Sequence, residues 1–260
     1  MTALSVNINK IAVLRNSRGG NLPCVQEAAR VCVAAGCHGI TVHPRPDQRH
    51  ICAQDIYKLN AWLPVELNIE GNPFSSSLPN GYPGFMNLIE RIKPAQCTLV
   101  PDSDDQITSN HGFNMRHDAE RLKPIVEQLK QWGCRVSVFM DADGVTGGDI
   151  SVQENIQLAA QIGVNRIEIY TGPYASAYAQ KSTQPEQFEQ SLQQCMDIAQ
   201  YAKHTGLGVN AGHDLNQANL PCFLQKISSV LEVSIGHALI SEAIYDGLFE
   251  TVQRYLQVVQ

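Results

Sequence analysis

Residues 161–169 read Gln161-Ile162-Gly163-Val164-Asn165-Arg166-Ile167-Glu168-Ile169. A helical run ends, a glycine follows, and a β-branched run begins within two residues. Glycine at that point takes the left-handed conformation that turns a helix end back toward a sheet. The same joint recurs at Ala34-Ala35-Gly36-Cys37-His38, Gln131-Trp132-Gly133-Cys134-Arg135 and His204-Thr205-Gly206-Leu207-Gly208. Such repetition implies one αβ unit used many times, not two unlike domains.

Working outward from these joints, short apolar runs predict strands at Leu4–Ile8, Gly39–Val42, Val65–Ile69, Cys97–Val100, Val136–Met140, Arg166–Ile169, Gly208–Ala211 and Val233–Gly236. Amphipathic patterns between them predict helices near Pro23–Ala35, Gln54–Trp62, Gly84–Ile92, Asp118–Trp132, Val152–Ile162, Pro185–Thr205, Gln217–Ile227 and Leu239–Leu256. Strict alternation of this kind calls for βαβ units and a parallel sheet. Eight strands in 260 residues fit a single (β/α)₈ barrel of the TIM type, spanning residues 1–260, with inserts at its mouth. Two segments break the rhythm after strand ends: Asn72–Pro83, rich in Ser, Pro, Asn and Gly, and Asp143–Asp149, rich in Gly. Each reads equally as a lid or as a disordered insert.

Composition narrows the function. Hydrophobic residues make up 43% of the chain and charged residues 17%, enough for a packed core. The net charge is −6, with no cluster of Lys or Arg, so no basic face is expected for nucleic acid. No apolar run reaches the roughly 18 residues of a membrane span, and the N-terminus lacks a secretory pattern. A cytoplasmic location is therefore expected. The eight cysteines are scattered without a Cys-x-x-Cys pair and read as reduced, mostly buried thiols, with no metal site.

In a parallel barrel the chemistry sits at the C-terminal strand ends. Those ends here carry Asn7, Asn9 and Lys10; His43 and Arg45, with Arg49 and His50 close behind; Glu70; Asp102, with Thr108 following; Asp141; Glu168; Asn210, His213 and Asp214; and Gly236 with His237. Each has an ordinary reading alone: a histidine is often structural, Asp141 fits a turn cap, and Glu168 fits an ion pair with a nearby base. A closed barrel aims them at one small mouth, where burial and mutual interaction shift pKa values. His43, Glu70 and His213 would then suit repeated proton transfers. Gly212-His213-Asp214 and Gly236-His237-Ala238 follow the last two strands, the common barrel location for phosphate. Arg18, in Arg18-Gly19-Gly20, reads either as a phosphate contact or as part of an ordinary turn. No Walker loop or dinucleotide fingerprint occurs.

Taken together, these segments resemble the pyridoxine 5′-phosphate synthase family. The resemblance rests on Val6-Asn7-Ile8, Ile11 to Gly19, Gly39 to Arg45, Arg49-His50-Ile51, Asn68-Ile69-Glu70, Leu99-Val100-Pro101, Ile167-Glu168-Ile169, Val209 to His213 and Ile235 to Ala238. It implies condensation of 3-amino-2-oxopropyl phosphate with 1-deoxy-D-xylulose 5-phosphate, releasing pyridoxine 5′-phosphate, phosphate and water. It implies no metal and no organic cofactor. By match, His43 and Glu70 would accept protons and His213 would donate one. Asn7, Arg18, Asp214, Gly236 and His237 fall on positions that hold the amino-ketone phosphate. Asn9, Lys10, Arg45, His50 and Thr108 fall on positions that hold the deoxyxylulose phosphate, and Glu168 matches a further mouth carboxylate. The resemblance also implies a homo-octamer acting on small phosphorylated substrates.

The chain departs from the family's better-known pattern, with Asn9-Lys10 in place of Asp-His and Asp214 in place of Gly. These changes are read as linked, Lys10 reaching across the mouth toward Asp214, against the plainer reading of Asp214 as a cap for the segment from Leu215. Two rival functions stand beside the family reading. One is another phosphate-handling barrel of the epimerase, aldolase or thiamin-phosphate-synthase type, with Lys10 as the imine-forming candidate. The other is a barrel kept without catalysis.

Overall fold

The structure, a computed structural model, describes residues 1–103, 106–144 and 149–260. Eight strands close into a parallel barrel in chain order: β1 Ala3–Asn7, β2 Gly39–Val42, β3 Glu66–Gly71, β4 Gln96–Leu99, β5 Arg135–Asp141, β6 Arg166–Tyr170, β7 Gly208–Gly212 and β8 Val230–Ile235. The ring closes where β8 pairs with β1, Ser234 opposite Ser5. The glycines at the four joints all have positive φ, between 79° and 99°.

The helices are α1 Asn9–Asn16, α2 Val25–Ala34, α3 Ala53–Asn60, α4 Phe85–Ile92, α5 Met115–Gln131, α6 Val152–Gln161, α7 Gly172–Ala179, α8 Pro185–His204, α9 Leu220–Lys226, α10 His237–Asp246 and α11 Leu248–Val259. Three features differ from the sequence expectation. The helical pattern read as Leu239–Leu256 is two helices, because Gly247 breaks it at φ 83°. Helix α7 has no polar face to betray its period: Gly172-Pro173-Tyr174-Ala175-Ser176-Ala177-Tyr178-Ala179 is nearly uniform in polarity. Helix α1 hides its period differently, since one of its two buried positions is Arg15. That guanidinium forms a buried ion pair with Asp55, Nη1 to Oδ1 at 2.5 Å, and so bolts α1 to α3.

Alternate strand residues face opposite ways. Leu4, Val6, Ile40, Val42, Leu67, Ile69, Val136, Val138, Ile167, Ile169, Val233 and Ile235 point outward into the layer under the helices, all buried. The opposite parity is polar. Gln96 of β4 donates to Glu232 of β8 at 3.1 Å, and Arg166 of β6 reaches both Glu232 and Asn210. Ser5 and Thr41 share a 2.7 Å hydrogen bond, and Thr98 donates to Asn68. The barrel interior is thus a network of hydrogen-bonded polar groups where many barrels have branched apolar layers. Arg166 is part of that network.

The segment Asn72–Pro83 is tied down rather than loose. Asn72 donates to the Asp102 carbonyl at 2.9 Å, and Asn80 donates to that of Pro46 at 2.8 Å. Of Asp143–Asp149, residues 145–148 lie outside the described residues; Asp149 pairs with His117 at 2.7 Å. The eight thiols are free, and Cys32, Cys37, Cys97, Cys134 and Cys195 are buried, as expected.

β7 and β8 approach each other closely at Gly212, where a Cβ would stand 2.3 Å from the Ser234 carbonyl oxygen. Neither paired strand can yield without moving the mouth. Gly212→Ala is expected to cost roughly 3 kcal/mol, seen as a fall of about 6–12 °C in Tm by thermal unfolding.

Candidate active site

At the C-terminal end of the barrel lies a cavity of about 300 Å³. It is lined by Asn7, Asn9, Lys10, His43, Arg45, His50, Glu70, Thr108, Glu168, His213, Asp214, Gly236 and His237. Every residue to which the family resemblance gives a role is present except Arg18, which is exposed beyond α1 and does not line the cavity; of the other strand-end residues, Arg49, Asp102, Asp141 and Asn210 stand outside the lining. Ile107, Ser109 and Ser234 join the lining without having been expected. For Ser234 the signal was its inward parity on β8.

The first strand sets the floor. Asn7 closes β1, accepts the Asn9 backbone N–H at 3.1 Å, and donates to Glu70 Oε2 at 3.3 Å. Asn9, at the start of α1, in turn accepts the backbone N–H of His43 at 2.9 Å. Glu70 enters from β3 because that strand runs to Gly71, two residues past its predicted end. His43 Nδ1 stands 3.9 Å from Glu70 Oε2, close enough to interact but too far for a hydrogen bond.

Burial governs the titration of this group. Desolvation holds His43 well below the usual histidine range, helped by the positive charges of Arg45 and Arg49, so it is a neutral base at neutral pH. The same causes push His50 down to about 3, with Lys10 adding its charge. Glu70 is pushed up to about 7 by desolvation and by the negative charge of Asp102, against the pull of His213 and Arg45. Glu168, deeper in the barrel, is raised well above the carboxylate range by burial and then by Glu70 and Glu232. A neutral carboxylic acid therefore sits below a carboxyl that titrates near neutrality, opposite assignments produced by environment.

One wall is held by a carboxylate whose position at a strand end was noted but whose role the sequence did not reveal. Asp102, 3% exposed, accepts from Arg45 Nη2 at 2.5 Å and from Ser109 Oγ at 2.7 Å. Arg45 and Arg49 also donate to the Gln106 carbonyl, at 3.0 and 2.8 Å. Two arginines from the β2 side and the segment after β4 are thus locked together, and that segment presents Thr108 to His213. Asp141, which fits a turn cap in the sequence, instead accepts the Gly112 backbone N–H at 2.9 Å, and burial raises it to about 6. It does not line the cavity.

The opposite wall is His213, a non-glycine residue at φ 38°. Such a conformation is uncommon and costly, and it concentrates at functional positions. The ring packs beside both Phe139 and Tyr170, at centroid distances of 6.3 and 5.9 Å, and those two rings touch each other at 5.5 Å. Its Nε2 is 2.8 Å from Thr108 Oγ1 and its Nδ1 is 2.7 Å from Asp214 Oδ2. Asp214 is therefore engaged by His213, and the expected reach of Lys10 to Asp214 is not seen: Lys10 forms no ion pair among the described residues. Nor does the Asp214 side chain cap the next segment, where Leu215 N–H bonds the Gly212 carbonyl.

Gly236 and His237 open α10 at the mouth, where first-turn N–H groups have no intrahelical partner and favour an anion. Lys10, Arg45 and Arg49 give the β1–β2 side positive charge. The cavity can thus hold two anionic groups on different walls, with bases and acids between them. Among the described residues no group of His, Cys, Asp and Glu is arranged to hold a metal.

A family model described as pyridoxal phosphate biosynthesis protein PdxJ matches residues 4–260. Proteins named pyridoxine 5′-phosphate synthase are close relatives: one from Xanthomonas campestris pv. campestris (strain B100) is 53% identical, covering 99% of this chain and 96% of its own. Another, from Xylella fastidiosa (strain M23), is 52% identical over 99% of this chain and 95% of its own. Among solved structures, tryptophan synthase subunit alpha from Legionella pneumophila superposes with a TM-score of 0.60 at 11% identity, covering 99% and 92% of the two chains. Phosphoribosyl anthranilate isomerase from Thermococcus kodakaraensis gives 0.58 at 12%, covering 100% and 99%. These two share the barrel fold.

The raised pKa of Glu70 has a consequence for stability. Between the ordinary value of 4.5 and about 7 the folded chain binds a proton that the unfolded chain has released, so stability falls as pH rises through that window. Glu70→Gln removes the buried charge and keeps a hydrogen-bonding group beside Asn7. At pH 8 the variant is expected to be more stable than the parent, by up to about 3 kcal/mol, with the gain vanishing near pH 4. Denaturant unfolding at the two pH values measures this.

Proposed function

Since this chain belongs to the pyridoxal phosphate biosynthesis family PdxJ, we infer that it is a pyridoxine 5′-phosphate synthase. It joins 3-amino-2-oxopropyl phosphate to 1-deoxy-D-xylulose 5-phosphate and releases phosphate and water. The observation that carries this reading is the convergence of His43, Glu70, Glu168 and His213 on one cavity between two anion-favouring walls. Imine formation, dehydration, phosphate elimination, ring closure and aromatisation each move protons, and each needs a base or acid within reach.

The roles of His43, Glu70 and Glu168 follow from their protonation states, and that of His213 from the family match. Neutral His43 and ionised Glu70 accept protons. Neutral Glu168 offers a hydrogen bond to negative charge developing near the floor. His213 donates from the opposite wall. The amino-ketone phosphate is held at Gly236 and His237, with Asn7 and the Asp214 backbone beside it; the deoxyxylulose phosphate is held by Arg45, His50, Lys10 and Thr108, with Asn9. Asp102 keeps Arg45 extended toward that phosphate. Arg18 lies outside the cavity of its own chain, in a stretch of sequence where Leu14 and Leu22 are also exposed. Its contribution to phosphate binding is supplied across a contact between copies, in keeping with a homo-octameric enzyme of the cytoplasm. The neighbouring apolar side chains support that arrangement.

The family and the placement of Lys10 argue against an imine-forming aldolase. Lys10 is exposed on α1, not enclosed in the apolar pocket that an imine-forming lysine needs. Borohydride with either substrate is expected to leave Lys10 unmodified. Turnover is also expected to survive chelation and desalting.

The direct test is turnover of the two substrates. If ionised Glu70 is a base, kcat/KM should rise as pH climbs through about 7, where Glu70 loses its proton. Glu70→Gln should lower kcat by about 10²-fold or more and remove that limb of the profile. Near-normal turnover in this variant would refute the assignment.

A further inference from the structure

We propose that Asp214 is a positioning residue for His213: its carboxylate fixes the imidazole as the Nδ1–H tautomer and leaves Nε2 as the working atom of the mouth. This rests on the reading of His213 as the proton donor. It assigns Asp214 a role different from the phosphate contact that its place in the chain suggests.

The geometry is specific. Asp214 Oδ2 lies 2.7 Å from His213 Nδ1. A carboxylate can only accept, so Nδ1 carries the hydrogen. The other ring nitrogen then presents a lone pair to Thr108 Oγ1 at 2.8 Å, and the Thr108 hydroxyl donates into it. Both ring nitrogens are thereby accounted for, by two different segments of the chain.

The backbone around the pair is pinned. Thr171, itself fully buried, donates its hydroxyl to the Gly212 carbonyl at 2.7 Å. Leu215 N–H closes a turn onto the same carbonyl at 3.0 Å. Asn219, 1% exposed, donates to the Asp214 carbonyl at 3.3 Å. Adjacent side chains on an ordinary turn splay apart. Here His213 has a positive φ, its ring meets the neighbouring carboxylate, and it packs beside the Phe139–Tyr170 pair. A free carboxylate at an anion site would repel phosphate; one hydrogen-bonded to an imidazole has its charge compensated when that imidazole is protonated.

The proton path is simple. Nε2 exchanges its bond to Thr108 for a proton from the reacting groups, giving an imidazolium held against Asp214. That proton then passes from Nε2 to an oxygen departing as water, and the ring returns to the Nδ1–H form. Asp214 is never protonated, so it orients and stabilises without touching substrate.

The test uses the full chain labelled with ¹⁵N in histidine. The signals of His213, one of eight histidines, are assigned by their loss in His213→Gln. In the parent, Nδ1 should appear protonated and Nε2 unprotonated. In Asp214→Asn, whose amide can donate to Nδ1, that pattern should reverse or become mixed. The same variant should lose about 10-fold or more in kcat with KM changed less than about 2-fold, and Asp214→Glu should restore part of the loss. An unchanged tautomer in Asp214→Asn would overturn the proposal. So would a rise in KM at constant kcat, which would make Asp214 a substrate contact. Full turnover in His213→Gln would instead overturn the donor role of His213, and the catalytic meaning of Asp214 with it, while the tautomer signals would still report whether Asp214 holds the ring.

Discussion

Closing eight parallel strands into a ring forces every second side chain inward, and in this chain the inward set is polar. Removing amides, hydroxyls and carboxylates from water is costly unless each finds a partner. Gln96, Arg166, Asn210 and Glu232 meet that demand across the barrel, and Ser5, Thr41, Asn68 and Thr98 meet it along neighbouring strands. The apolar stabilisation comes from the other parity, pressed against the helices. This division lets the lower barrel support an active mouth of buried acids without a greasy plug between them.

Desolvation above that network sets the chemistry. His43 and Glu70 belong to types with different ordinary pKa values, and burial moves them in opposite directions. The imidazole stays neutral, and the carboxyl comes to titrate near neutrality. Glu168 keeps its proton first because burial penalises its charged form, and then because Glu70 and Glu232 beside it would repel a further negative charge. Three groups thus acquire distinct protonation states from one cause, which is what a sequence of proton transfers needs.

The outer wall depends on ion pairs and hydrogen bonds instead. Asp102 binds Arg45 and Ser109 together, so the β2 side and the segment after β4 move as one piece. Breaking such a pair leaves an uncompensated buried charge, which makes it a strong constraint on geometry even where its net contribution to stability is small. The Arg15–Asp55 pair does the same for α1, which carries Asn9 and Lys10 to the mouth.

Much was determined by the sequence itself. Alternation of short and long periods specified a barrel, because strand and helix periods are local properties. The strand ends located His43, Glu70, His213, Gly236 and their neighbours, because a barrel sends all C-terminal ends to one face. The β-strand boundaries came within a few residues; α1 and α7 did not emerge, since one carries an arginine on its buried side and the other lacks polar contrast. What needed the tertiary structure was every relation between residues distant in sequence. Asp102 beside Arg45, Thr108 on His213, Arg18 outside the cavity and Glu232 facing Arg166 depend on which strands become neighbours and which side chains reach across. The pairing of Asp214 with the adjacent His213 also needed it, because only the left-handed backbone at His213 folds the ring back onto its neighbour. The protonation states depended on it most, for a pKa is set by how much water and charge surround a group, and neither quantity exists until the barrel closes.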